Sequence, residues 1–314
     1  MAEITGINWC DSTFNPWRIC TPVGPGCDNC YAAAFGHRFG LEYRQGVPRL
    51  RTSAANWRKP VQWNAGRFYE CNGCGWRGSK PHYWEPGALG QCPTCRSFGL
   101  TAARRRVFCA SLADVFDNEA PAEWRADLFD LIRRCDNLDF LLLTKRIGNA
   151  QRMLDEYIAS DGHTGETWVR GWPNLWLGAT VVNQAEVDRD IPKLLDIPAA
   201  VRFLSIEPLL GEIRIDDHLK GSPRISWVVC GGESGPGARP CHVGWIRGLV
   251  EQCRAAAVPC FVKQLGARAL RYTYADSQGK PAREAVMKLD DRKGGDMREF
   301  PEELRVREFP RSAQ

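Results

Sequence analysis

The stretch Leu175–Pro208, LWLGATVVNQAEVDRDIPKLLDIPAAVRFLSIEP, decides the fold. Two short apolar runs, Leu175–Leu177 and Val201–Leu204, bracket Gln184–Leu195, whose apolar residues recur at helical spacing. A strand, a helix and a second strand in that order make a crossover, the connection that parallel strands require. The runs are largely apolar rather than alternating, as expected of strands buried on both faces.

Working outward, the same alternation repeats. Further apolar runs lie at Val107–Ala110, Phe140–Leu143, Ile225–Cys230 and Pro259–Val262. Helical periodicity returns at Pro121–Cys135, Ile147–Ile158 and Val243–Ala256. With Ile4–Cys10 as a first strand the count reaches about seven, which predicts an incomplete or irregular parallel (β/α) barrel rather than an open doubly wound sheet. The barrel is expected over 1–67 and 101–270, with a four-cysteine insertion at 68–100 and a charged appendage at 271–314.

In such a fold chemistry belongs at the C-terminal ends of the strands. The residues there are polar: Ser111 and Asp114, then Thr144, Lys145 and Arg146, then Thr180 and Asn183, then Ser205 and Glu207, and finally Lys263 and Gln264. Between them comes CGGESGPGARP, Cys230–Pro240, with Gly231, Gly232, Glu233 and Ser234 at its turn and Glu233 and Arg239 offering opposite charges. Its spacing is not that of a dinucleotide-binding fingerprint, and a tight strand-to-helix turn is the plainer alternative. Lys145, Glu207 and Lys263 are the candidates for charged contacts or proton handling; Ser111, Asp114, Asn183, Ser205 and Gly231–Ser234 are the candidates for polar contacts.

Cysteines supply the second signal. The chain has 314 residues, 14 of them cysteine, with 44% hydrophobic and 25% charged residues. It has no membrane-length apolar run and no secretory leader pattern, so a cytoplasmic protein is expected, where clustered cysteines point to metal rather than to disulfides. CTPVGPGCDNC gathers Cys20, Cys27 and Cys30 in one turn-rich loop before a helix expected at Tyr31–Phe39. Three thiols leave one corner of a metal site open; the alternatives are a closed site completed by Cys10, or no metal. CNGC at Cys71–Cys74 and CPTC at Cys92–Cys95 form two knuckles able to converge on one ion, so a zinc ribbon is expected, with iron the alternative and His82 a surface residue. Cys109, Cys135, Cys230, Cys241, Cys253 and Cys260 read as buried small apolar residues.

The net charge of +5 permits a nucleic-acid partner without proving one. Between the cysteine loop and Arg67, Arg44, Arg49, Arg51, Arg58 and Lys59 interleave with Tyr43, Trp57 and Trp63. Such a segment can hold phosphates and stack bases, or can be a solvated cover over the core.

The motifs WCDSTFNPW, CTPVGPGCDNCY, SLADVFD, LLLTKR, PNLWLGATVVNQ, FLSIEPLLGEI, WVVCGGESGPGARP and CFVKQLG, in that order over Ile4–Gly266, resemble the phage Gp37/Gp68 family, itself similar to radical S-adenosylmethionine (SAM) enzymes. The cysteine spacing here, C-x6-C-x2-C, is longer than the usual C-x3-C-x2-C, and the GGE element comes late, so a SAM-amine role for Glu233 does not follow from the likeness. The resemblance implies a radical SAM barrel with a [4Fe-4S] cluster on Cys20, Cys27 and Cys30, SAM bound at the open iron, and an electron donor as partner. It also implies SAM or substrate contacts from the strand-end polar set. Its phage membership suggests a DNA substrate in the host cytoplasm, an amino-acid-modified thymine that is isomerised, with the ribbon gripping flanking backbone. The alternatives are a non-catalytic zinc-dependent nucleic-acid-binding protein, or a radical enzyme acting on a peptide or tRNA base.

Overall fold

The structure is a computed structural model, described here for residues 5–82, 90–160, 172–272 and 284–310. One sheet holds seven strands in strict chain order: β1 (Ser12–Phe14), β2 (Arg105–Cys109), β3 (Leu138–Thr144), β4 (Leu175–Thr180), β5 (Val201–Ile206), β6 (Trp227–Gly231) and β7 (Cys260–Gln264). Every neighbouring pair is parallel. Strand order never reverses, so the sheet curls one way into a half-barrel, an incomplete parallel barrel rather than a doubly wound sheet.

The helices are α1 (Tyr31–His37), α2 (Ala54–Ala65), α3 (Ala122–Arg134), α4 (Ile147–Ser160), α5 (Gln184–Asp196) and α6 (Val243–Ala255), the last four filling crossovers. Their apolar faces, with Leu128, Leu154, Ile191 and Leu249, bury the outer side chains of the strands, such as Leu142, Leu177, Leu204 and Val262. The concave face carries larger rings: Phe108, Trp176, Phe203, Trp227 and Phe261. Gly178 makes this packing possible, because a Cβ there would stand 2.4 Å from the Phe203 ring.

The expected first strand is corrected. Ile4 lies outside the described residues, 5–10 form no strand, and the true β1 falls just after them, at Ser12–Phe14. The apolar character of Trp9 and Cys10 serves burial instead: Trp9 plugs the concave face, its ring 4.6 Å from Phe108 and 6.1 Å from Trp227. The described part of the expected appendage is equally built in. Val262 N donates to Val306 O at 2.8 Å and Glu308 N to Cys260 O at 2.9 Å, covering the free edge of β7. Phe300 and Leu304 are buried, and the Phe309 ring lies 5.5 Å from Trp227.

The four-cysteine segment has its own antiparallel sheet, formed by Tyr69–Cys71, Arg77–Gly78 and Leu100–Ala102. Arg77 fastens it to the half-barrel, donating to both Asp11 oxygens at 3.1 and 3.2 Å and to Arg104 O at 2.6 Å. Asp11 and Arg104 precede β1 and β2, so the segment sits at the N-terminal end of the sheet. Among the described residues, no helix is long and apolar enough to cross a membrane.

Candidate metal centre and strand-end site

The loop bearing Cys20, Cys27 and Cys30 covers the other end of the sheet. Gly26 lies so close to the β3 and β4 ends that a Cβ would meet Val182 at 3.0 Å and Lys145 Cε at 3.1 Å. Arg239, after β6, clamps the loop: it donates to Glu233 at 2.7 and 3.0 Å, to Asp28 Oδ2 at 2.9 Å and to Pro25 O at 2.8 Å. Asn29 Nδ2 completes the clamp, donating to Glu233 Oε2 at 2.9 Å and to Gly237 O at 3.2 Å. Burial alone would raise the Glu233 carboxyl, but the hydrogen bonds from Arg239 and Asn29 outweigh it and hold the group below its ordinary value.

A second anchor holds the loop's start. Arg146 donates to Thr21 O and, at 3.2 Å, to Asp114 Oδ2; Arg49 donates to Thr21 Oγ1 at 2.7 Å and to Asp117 Oδ2 at 2.7 Å. Asp114 also accepts from Thr144 Oγ1 at 2.7 Å and Lys145 N at 3.1 Å, tying β2 to β3. Burial, reinforced by the Asp114 charge, pushes the Cys20 thiol up to about 12. The three thiols are half-buried and do not all lie within 4.8 Å of one another. One ion needs its thiolates that close, whereas a cluster spreads them over several irons. Cys10 packs elsewhere, beside Trp9 in the concave core, its thiol 3.8 Å from Ile7 O.

At the same end of the sheet, the strand ends carry a second polar group. Lys263 Nζ of β7 lies 3.0 Å from Glu207 Oε1, just past β5, and Ser205 Oγ lies 3.4 Å from Glu207 Oε2. The pair spans β6, which offers only Gly231 and Gly232 at this level. A Cβ on Gly231 would stand 2.6 Å from Gln264 O, and one on Gly232 2.3 Å from Leu265 O. Lys145 and Thr180 share a small cleft with Val23, Gly24, Glu186 and Arg189. The buried Thr180 hydroxyl finds no hydrogen-bond partner there.

The sequence-derived set therefore divides. Ser205, Glu207 and Lys263 come together, Lys145 faces the cysteine loop, and Ser234 is half-buried beside the clamp. Asp114 and Glu233 are occupied in holding the loop. Asn183 caps α5, accepting from Glu186 N at 2.9 Å, and Ser111 pairs with the buried Asn15 at 3.0 Å. Asn15 and Asn29 escaped sequence reading because their partners lie 96 and 204 residues away. A surface cleft of about 340 Å³ between Asn118–Arg125 and Arg152–Glu156 takes no residue from this site.

A family model described as "Protein of unknown function (DUF5131)" matches residues 4–296. The chain belongs to this family. No curated protein and no solved structure matches it.

The DUF5131 chain carries a second, more complete ligand group. Cys71 Sγ lies 3.6 Å from Cys95 Sγ, Cys74 Sγ lies 3.6 Å from Cys92 Sγ, and all four sulfurs lie within 4.8 Å of one another. Four thiolates bound at 2.3 Å to one tetrahedral ion stand roughly 3.8 Å apart, so the group can hold a metal ion such as zinc. His82 stands outside the ligand group, in a backbone bridge to Gln91.

Proposed function

We propose that this DUF5131 protein is a radical SAM enzyme working at the C-terminal mouth of its half-barrel. The observation that carries the reading is the three-cysteine loop clamped by Arg239 above strand ends bearing Ser205, Glu207 and Lys263. Cys20, Cys27 and Cys30 fit a [4Fe-4S] cluster by donor type and number, three thiols on one anchored loop leaving a fourth iron for SAM. When bound and reduced, that cluster supplies the one-electron cleavage of SAM that releases a 5′-deoxyadenosyl radical.

The chain's own part is to bind, orient and shield. The Glu207–Lys263 pair presents both signs of charge at the mouth, and a substrate that parts them leaves either group to hold or move a proton. Lys145 and the unpartnered Thr180 hydroxyl offer donors beneath the loop. The plug of Trp9, Trp176, Trp227 and Phe309 seals the concave face from below against water. The substrate is an amino-acid-modified thymine in DNA, isomerised after extrusion from the stack. The four-cysteine segment holds zinc as a scaffold for the opposite end, away from the mouth. A second reading, a non-catalytic zinc-dependent nucleic-acid-binding protein, draws on the same ready-made four-sulfur group.

Anaerobic reconstitution separates the two. About four irons and four sulfides per chain, lost in Cys27→Ser, together with 5′-deoxyadenosine from SAM under a low-potential reductant, are expected. Zinc at both sites without iron, or an iron-loaded protein that leaves SAM intact, would overturn the proposal. Nucleoside mass spectrometry of treated phage DNA then tests the substrate.

A further inference from the structure

Residues 17–67 hold eight Lys/Arg and two Asp/Glu, a net +6 against +5 for the whole chain, so the remainder is close to neutral. The aromatics interleaved with these arginines turn inward: Tyr43 and Trp63 are buried, and Arg51 lies over the half-buried Trp57 at 4.5 Å. They form a cover, as one sequence reading expects. A different aromatic set in the same segment faces out. Tyr31, Phe35 and Phe39 are 56%, 41% and 62% exposed and recur every four residues along α1 and the turn after it, hence on one side. The Phe35 and Phe39 rings lie 5.1 Å apart.

The row has a direction. Tyr31 follows Cys30 and donates its hydroxyl to Ser111 O at 2.5 Å, at the end of β2. Phe39 lies at the far end, and the exposed Val23 of the cysteine loop belongs to the same segment. The exposed Arg38 sits inside the row and Arg18 lies in the same segment, neither with an acidic partner among the described residues.

We propose that this row is a stacking platform for single-stranded nucleic acid, leading from the protein's outside to the strand-end mouth. Magnitudes favour a strand over a protein partner. Three aromatic side chains of roughly 150–250 Å² each, about half exposed, present on the order of 300 Å², well short of the roughly 800 Å² that each partner buries in a stable protein interface. One ring per turn beside the exposed Arg38 guanidinium matches bases on π-faces with a phosphate on arginine. The inference deepens the proposed reading by stating how a polymeric substrate is held. Binding needs no cluster turnover, so the two can fail separately.

The test is fluorescence anisotropy of the full chain with a mixed-sequence single-stranded oligodeoxynucleotide of about 20 nucleotides, its duplex, and the oligoribonucleotide of the same sequence. Phe35→Ala/Phe39→Ala should weaken single-strand binding by about tenfold or more, at stacking values of roughly 1–3 kcal/mol per base. Arg38→Ala should lower the salt dependence by about one phosphate contact, and Phe98→Ala, exposed on the four-cysteine segment, should change nothing. Duplex bound as tightly as single strand, or an unchanged affinity in the double variant, overturns the platform. Tighter binding of RNA keeps the platform and identifies RNA as the source of the strand. SAM cleavage assayed on the same preparations reports the radical reading independently: a double variant that still cleaves SAM but releases the oligonucleotide is the expected pattern.

Discussion

The two cysteine-rich regions of this chain are built on opposite plans. In the four-cysteine segment the sulfurs are already gathered, within 4.8 Å of one another, around a knuckle sheet with little apolar core of its own. In the 20–30 loop the sulfurs are spread, and side chains grip the backbone around them: Arg239 at Pro25 O, Arg146 at Thr21 O. The first plan makes the ion the fold of the segment; the second makes the fold a cradle that exists before any ion arrives. On the proposed reading that difference separates a structural centre from a working one, and the two regions lie at opposite ends of the same strands.

Metal removal gives the largest contrast. Cys92→Ser, or chelation, should melt the four-cysteine segment, since structural zinc contributes about 10 kcal/mol or more to small metal modules. Cys27→Ser should leave the thermal midpoint and the zinc content unchanged and abolish iron uptake. Metal analysis and calorimetry on both variants check this. A Cys27→Ser protein as unstable as Cys92→Ser would erase the distinction.

The grips themselves come next. Glu233 has a side-chain exposure of 7% and its partner Arg239 one of 27%, so Arg239→Ala leaves a nearly buried carboxylate without its counter-charge, held only by Asn29 Nδ2 and the backbone N–H of position 239. Discounted for the partner's exposure, the expected cost is about 2 kcal/mol, confined to the loop. Amide exchange should accelerate over 22–30 while zinc stays bound. Arg77→Ala is the mirror experiment: it frees Asp11 and loosens the four-cysteine segment from β1, with exchange rising near 68–78 and the loop unaffected. Exchange that rises in both regions in either variant would show the two ends to be coupled.

How far the sequence foretold this depends on distance along the chain. Six strands and their crossover helices were legible because each signal is local: apolar runs three to six residues long, then helical periodicity. The ligand knuckles were legible for the same reason. What stayed hidden depends on remote partners. Trp9 and Cys10 read as a strand because plugs and strands are equally apolar. Helix α2 was missed because Pro60 sits inside it and its composition is basic, although Ser53 caps it by accepting from Asn56 N. Phe300, Leu304 and Phe309 are scattered among charges, so nothing local marked the tail as the cover of β7. At the candidate site the charged strand ends were visible, yet the service of Asp114 and Glu233 to the cysteine loop was not, since Arg146 lies 32 residues from Asp114 and Asn29 lies 204 from Glu233.

The smallest expected effect tests the quiet end of the sheet. Asp139, on β3, is buried beside Arg106 and 3.7 Å from Arg104, and its Oδ2 accepts no hydrogen bond. Burial pushes its carboxyl up to about 6 despite the pull of Arg104, Arg106 and Arg77, and burial likewise lowers Arg106, to about 10. The native state thus holds the Asp139 proton more tightly than the unfolded chain does, where the value is about 3.9. Stability from this residue is therefore fully present below about pH 4, is lost as pH rises to about 6, and the deficit is complete at neutrality. Asp139→Asn removes the ionisation while keeping the shape. It should raise stability by about 1 kcal/mol at pH 7, less than the full shift implies because Arg104 and Arg106 lose a counter-charge, and by nothing near pH 4. Urea midpoints at the two pH values decide it: a difference equal at both would mean that packing, and not charge, sets the cost of this residue. A loss at pH 7 would mean that the carboxylate is needed to keep Arg106 charged under the aromatic plug, making the closed end of the half-barrel a buried ion network instead of a penalised acid.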